Sequence, residues 1–234
     1  SSKATVCSGC AAHSTPRSAR PTVCYRRRDT PRYHSRPMLE QRIQQHFIDS
    51  ADLKYQSAQA LSHPISAAVQ AIWACVTNGA KVLACGSGPS SAQVLQFAAF
   101  CVAGFERDRP ELAALALLPD ALATGTSAVA DSAVLARQVR ALGQAGDLLL
   151  VITIGGNEPA LLQAVQAAHE RDMTVVALCG RDGGALGALL HETDVQICVP
   201  HDRAARVREV HALVLHCLCD GVDAQLLGEQ EIPL

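Results

Sequence analysis

Aromatic side chains are scarce: one Trp, three Tyr and four Phe in 234 residues. A surface that holds nucleic acid by stacking its bases needs such platforms, and direct nucleic-acid binding is not expected. Long apolar runs are also missing. A membrane-spanning helix needs roughly 18 apolar residues, whereas the longest run, at 148–154, is strand-sized; no membrane partner is expected. The balance of charge is split along the chain, with a net positive surplus at one end only. Residues 1–37 hold eight Lys/Arg against one acid, Asp29, a surplus of +7, which leaves the remainder at −9. An acidic body offers no basic footprint for a phosphate backbone.

Cysteine, by contrast, is plentiful, with ten residues. Seven of them (Cys75, Cys85, Cys101, Cys179, Cys198, Cys217, Cys219) fall within apolar helix or strand patterns, where free Cys behaves as a small hydrophobe. This suits a reducing cytoplasm better than a disulfide scaffold. Cys7-x-x-Cys10, with Cys24, His13 and His34 nearby, has half of a zinc motif and no matched second pair.

Residues 1–37 are Ser-, Pro- and Arg-rich without apolar periodicity. They read as a disordered basic leader or upstream extension, with an organellar transit peptide as the alternative. A globular domain is expected over 38–234. Its first part reads as two helices, one from Met38 and one over 65–78 that stops at Gly79. Apolar strands then alternate with helices: "KVLACG", "LAALALL", "DLLLVITI", "TVVALCG" and "DVQICVP" are the strands, and a long helix closes the chain. Such alternation means a parallel sheet covered on both faces. The expected fold is a flavodoxin-like α/β three-layer sandwich with a five-stranded parallel sheet and extra N-terminal helices.

Ligands of such sheets bind at the carboxyl ends of the strands. Two glycine turns lie there. "CGSGPSSA" (85–92) offers Ser87, Gly88, Ser90 and Ser91 before a helix; "ITIGGNEP" (152–159) offers Thr153, Gly156 and Asn157. Each makes a backbone cradle for an anion at a helix N-terminus. The first is neither G-x-G-x-x-G nor a Walker loop, and an ordinary helix start reads equally well. Glu158 sits in the second and opposes a bound dianion by roughly 1–4 kcal/mol. The expectation is the shell of a phosphate site, with weak sugar-phosphate binding.

The two loops, with "FERDRPELAALAL", "QVRALGQAGDLLLVIT", "RDMTVVALCGRDGG" and "RAARVREVHALVLHCLCD", resemble the sugar isomerase (SIS) domain. Within it they resemble the phosphoheptose isomerase group, and "QVRALG", "RDMTVVAL" and "LCD" look most like its DnaA initiator-associating branch. The resemblance spans nearly all of 38–228. It implies a cytoplasmic homotetramer. It also implies positions for acid/base or metal chemistry: a His and a Glu on the helix after the first loop, and a Gln and a His on the closing helix. Here these are Gln96, Phe100, Arg208 and His216. Only His216 survives, and a lone His on such a helix is more often structural. An Asn-Asp pair of the isomerases falls on Ala130 and Asp131.

From this loss the resemblance implies a protein without isomerase chemistry and without a cofactor, binding the N-terminal domain of the initiator DnaA and promoting chromosome replication. Leu226 and Leu227, an apolar pair at the end of the last helix, are then the expected partner contact. The alternatives are an isomerase of sedoheptulose 7-phosphate, with zinc and with His216 or Asp131 as replacement base, or a sugar-phosphate-binding sensor. Arg206, Arg208 and Glu209 read as a solvated charge cluster, and His211 as a core or subunit-interface residue.

Overall fold

A computed structural model of the chain describes residues 36–119 and 131–228. The chain divides into two units between Gln41 and Arg42, and the fold is that of the second. Helix α1 spans Arg36–Thr77 and contains Pro64. One helix therefore stands where the sequence pattern suggested two. Leu53, Leu61, Ala68, Ile72 and Cys75 recur at near-heptad spacing, and all are buried in one core. That continuous stripe outweighs the hydrogen bond lost at Pro64. The helix ends as its sequence predicts. Gly79 takes φ +76°, and its N–H and that of Ala80 donate to the carbonyls of Val76 and Cys75 at 3.1 Å each. A side chain is strained in that left-handed turn.

Strand β1 (Val82–Gly86), helix α2 (Ser90–Ala103) and strand β2 (Ala114–Leu117) follow, then α3 (Val134–Leu142), β3 (Leu148–Ile152) and α4 (Pro159–His169). The chain continues through β4 (Thr174–Gly180), a short α5 (Gly184–Gly187), β5 (Val195–Val199) and α6 (Ala204–Leu227). The five strands are all parallel, in the order β2-β1-β3-β4-β5. This is the expected sandwich.

Alternate strand residues divide the interior in two. Val82, Ala84, Leu148, Leu150, Ile152, Val176 and Leu178 pack under α1, α2 and α6. Leu83, Cys85, Leu149, Val151, Val175 and Ala177 pack under α3 and α4. With both faces covered, strands β1 and β3 are buried at every residue, which is why they read as unbroken apolar runs.

Helix α6 is long and apolar enough, by length and composition, to cross a membrane. Its Val207, Val210, Val214 and Leu218 instead lie buried against the sheet. Among the described residues the seven cysteines are free; five are buried, whereas Cys198 is half-buried and Cys217 exposed. The packing role expected of Cys217 is therefore not filled within the chain.

Candidate functional site

The sheet runs outward in both directions from the β1–β3 pair, so the loops after these two strands flank the switch point where such folds place ligands. Gly86 pairs with Ile152 across them. A Cβ on Gly86 would stand 3.0 Å from the Ile152 carbonyl oxygen, so glycine permits this close approach of the two strand ends. Gly88 takes φ +51° and faces open space. Ser91 Oγ donates to the Gly86 carbonyl at 3.2 Å, and Ser90 is buried. The first loop thus keeps its shape largely through its own chain: the Ser90 and Ser91 N–H groups donate to the carbonyls of Ser87 and Gly88 at 3.1 and 3.0 Å.

The second loop is tied down more firmly. Thr153 is fully buried and its Oγ1 accepts the Gly156 N–H at 3.0 Å. Gly156 takes φ +66°, and a Cβ there would lie 1.9 Å from the Gly183 carbonyl oxygen. Its own carbonyl accepts the Leu186 N–H at 2.8 Å, while Asn157 Oδ1 accepts the Ala185 N–H at 3.0 Å. The glycine turn at 183–184 therefore buttresses the cradle. The sequence carried that signal in "RDGG", which a motif search for phosphate loops passes over.

Glu158 joins the two loops. Its Oε2 accepts from Thr153 Oγ1 at 2.7 Å and from the Asn157 N–H at 3.1 Å, and its Oε1 accepts from Ser87 Oγ at 3.1 Å. The donors that would receive an external anion thus already hold a carboxylate. Thr153, Gly156, Asn157 and Ser87 gather around Glu158; Gly88 follows Ser87 in the same loop, and Ser90 and Ser91 serve the helix start. No thiolate is at hand, because burial pushes the Cys85 thiol up to about 12.

The family-implied acid/base positions lie on α2 (Gln96, Phe100) and α6 (Arg208, His216). His216 lies beside the rings of Phe100 and Phe105, with centroids 5.7 and 5.2 Å away. Gln96 is exposed and Arg208 half-buried. His211 is fully buried, its Nε2 3.1 Å from the Cys179 carbonyl oxygen; burial first, then Arg208, lowers its pKa to about 4 despite that hydrogen bond. The Arg206 cluster is not solvated as expected. Arg206 is 6% exposed, pairs with Glu209 at 2.8 Å and donates to the His46 carbonyl at 2.8 Å, so it fixes α1 to α6. Leu226 packs against the core and Leu227 is exposed. Asp131 opens a 3-10 turn; its side chain, like Ala130 and the Cys7-x-x-Cys10 stretch, lies outside the described residues.

Residues 46–180 match the model of the SIS domain. The phosphoheptose isomerase of Methylibium petroleiphilum is 59% identical over 197 residues, covering 83% of this chain and 98% of that one. The chain belongs to the SIS-domain family. Within it, it falls in the phosphoheptose isomerase group: the Azoarcus phosphoheptose isomerase is 50% identical over 82% of this chain and 99% of its own. The structure of the Neisseria gonorrhoeae phosphoheptose isomerase superposes with a TM-score of 0.71 at 42% identity, over 80% of this chain and 99% of the other. For the Francisella tularensis enzyme the values are 0.74, 39%, 78% and 97%.

These findings correct the expectation of a non-catalytic initiator-binding protein. That expectation weighed three substituted positions of four, Gln96, Phe100 and Arg208, against isomerase chemistry. Relatives that share about half or more of all residues, over nearly their whole length, are phosphoheptose isomerases. The apolar pair offered as a partner contact is also half spent, since Leu226 packs into this SIS domain's own core.

Proposed function

We propose that this SIS domain is a phosphoheptose isomerase, interconverting a seven-carbon ketose phosphate such as sedoheptulose 7-phosphate and its aldose isomer. The observation that carries the reading is the 59% identity to the Methylibium isomerase across 98% of that enzyme. The paired cradle after β1 and β3 supports it with the backbone an anionic sugar needs.

Zinc is the metal implied if the chain is an isomerase, and the side chains present do not fit it. Phe100 has no donor atom, Arg208 is a cation, and His216 sits against two phenyl rings. One imidazole does not make a site. The reaction is therefore assigned to protein groups. Moving the carbonyl between C1 and C2 takes a proton from one carbon and returns it to the other through an enediol, which a single carboxylate performs, while the hydroxyl proton passes from one oxygen to the other by way of solvent. Glu158 is the carboxylate at the cradle, where Ser87 and Thr153 hold it until the sugar phosphate displaces it. In this reading the sugar phosphate takes over donors of the two loops, the phosphate lies over Gly88, and Glu158 turns to the reacting carbons.

The test is solvent deuterium incorporation at C2, followed by NMR, with sedoheptulose 7-phosphate and micromolar enzyme. Exchange and aldose formation are expected. Neither, from a protein that still binds the sugar phosphate, would overturn the isomerase and leave a ligand sensor. Glu158→Gln is expected to lower kcat by about 10²–10⁴-fold, with no rise in KM because the carboxylate competing for the loop donors is neutralised.

We also propose a homotetramer working in the cytoplasm. Support for assembly is an apolar groove of about 470 Å³ between α1 and α6, lined by Leu61, Ile65, Leu213 and Val214 among others, together with exposed Phe47 and Ile48. A second copy of the same helices matches such a face. Free thiols in the described core suit a reducing compartment.

A further inference from the structure

We propose a divalent transition-metal site, separate from the isomerase cradle, formed by His169, His191 and Asp194. Their ligand atoms lie within 4.8 Å of one another. The group sits by the amino ends of β4 and β5, whereas the two loops follow the carboxyl ends of β1 and β3: His169 is the last residue of α4, and Asp194 immediately precedes β5.

The donor set is that of borderline metals, two imidazoles and one carboxylate. The carboxylate is already oriented. Asp194 Oδ1 accepts the Val175 N–H, and Oδ2 accepts the His191 N–H, both at 2.8 Å. Its side chain is 1% exposed. Backbone donors behind a carboxylate are the support that fixes a metal ligand in place. His169 Nε2 lies 2.8 Å from Oδ2, and the His169 and His191 rings stack with centroids 3.8 Å apart and planes 17° apart. Both rings are thereby brought beside one carboxylate.

His191 and Asp194 are three residues apart in a turn closed by the Asp194 N–H to the His191 carbonyl at 3.0 Å. A short-range pair plus one ligand from a distant helix is a common way of building a metal site. A tetrahedral ion with bonds of about 2.0–2.1 Å sets its ligands roughly 3.3 Å apart. His191 is exposed, so its ring closes the remaining distance by rotation and leaves the last position to water. The bound ion would clamp the end of α4 to the start of β5.

The test uses the full chain carrying Cys7→Ser and Cys10→Ser, titrated with Co²⁺ and Zn²⁺ at pH 7.5. One equivalent of Co²⁺ should give a visible d–d spectrum without a thiolate charge-transfer band, and Zn²⁺ should displace it. His191→Ala, a change on the surface, should weaken binding at least tenfold and abolish a Zn²⁺-induced rise in Tm. Asp194→Asn should do the same. Absence of binding at 100 µM metal (on the order of the weakest sites such a titration reads), a thiolate band, or binding unchanged by His191→Ala would each overturn the proposal. The isomerase assay is independent of it, so either reading can fail alone.

Discussion

Asp147 stands at the amino ends of β1 and β3, where its carboxylate takes the N–H groups of Lys81 and Gln144 at 3.0 and 2.8 Å and the Lys81 ammonium. Burial alone would raise its pKa; Lys81 and the two backbone donors outweigh burial and hold it below the usual carboxylate range. A depressed carboxylate stabilises the fold above its unfolded pKa and loses that contribution as pH falls through the folded value. Asp147→Ala leaves two N–H groups without partners, and a loss of about 2–3 kcal/mol is expected in urea denaturation. His211 acts at milder acidity. Between its ordinary value of 6.5 and about 4, the unfolded chain takes up a proton that the folded chain refuses, so stability falls on acidification. Denaturation midpoints at pH 7.5 and 5.0 should differ less in His211→Gln than in the natural chain. At this scale the sequence was least legible. Glu158 was readable as an acid in an anion loop, but its bonds to Ser87 and Thr153 span 71 and 5 residues, and no local pattern reports a partner 71 positions away. Arg206 read as solvated because burial of a charge depends on α1, 160 residues earlier.

The elements were more legible, for a physical reason. Strands covered on both faces must be apolar throughout, and Val82–Gly86 and Leu148–Ile152 are. Helix ends were marked by Gly79, Gly143 and Pro159. The break expected before residue 65 is absent because a stripe of tertiary contacts holds the helix through Pro64. The loops follow the same logic: the turn at 183–184 is a neighbour of 155–157 only once β3 and β4 lie side by side. Gly156→Ala forces a Cβ into the Gly183 carbonyl. It is expected to destabilise the protein by more than about 1 kcal/mol and to abolish isomerisation, as thermal melts and the deuterium-exchange assay would report.

For the whole molecule, the apolar face of α1 and α6 sets the prediction. Light scattering on the purified chain should give four times the mass of the 24.7 kDa monomer. Phe47→Glu, at a side chain 75% exposed in the single chain, should shift the mass downward without loss of helical circular dichroism. A monomer at all concentrations would remove the assembly reading. Fold and family were both available from the order of elements and the loop words. Activity was not, because four helix positions were given more weight than the remaining body of the chain.

The carboxylate of Glu158 has one more consequence, best put as occupancy. It is a tethered rival for the loop donors, present at a fixed local concentration whatever the concentration of sugar. Under the proposed function, an incoming phosphate would bind only the fraction of molecules in which that rival has left. A cradle filled from within 99% of the time would show an affinity about a hundredfold weaker than its intrinsic one. Half-saturation would then move to higher sugar-phosphate levels, by a factor set by one side chain.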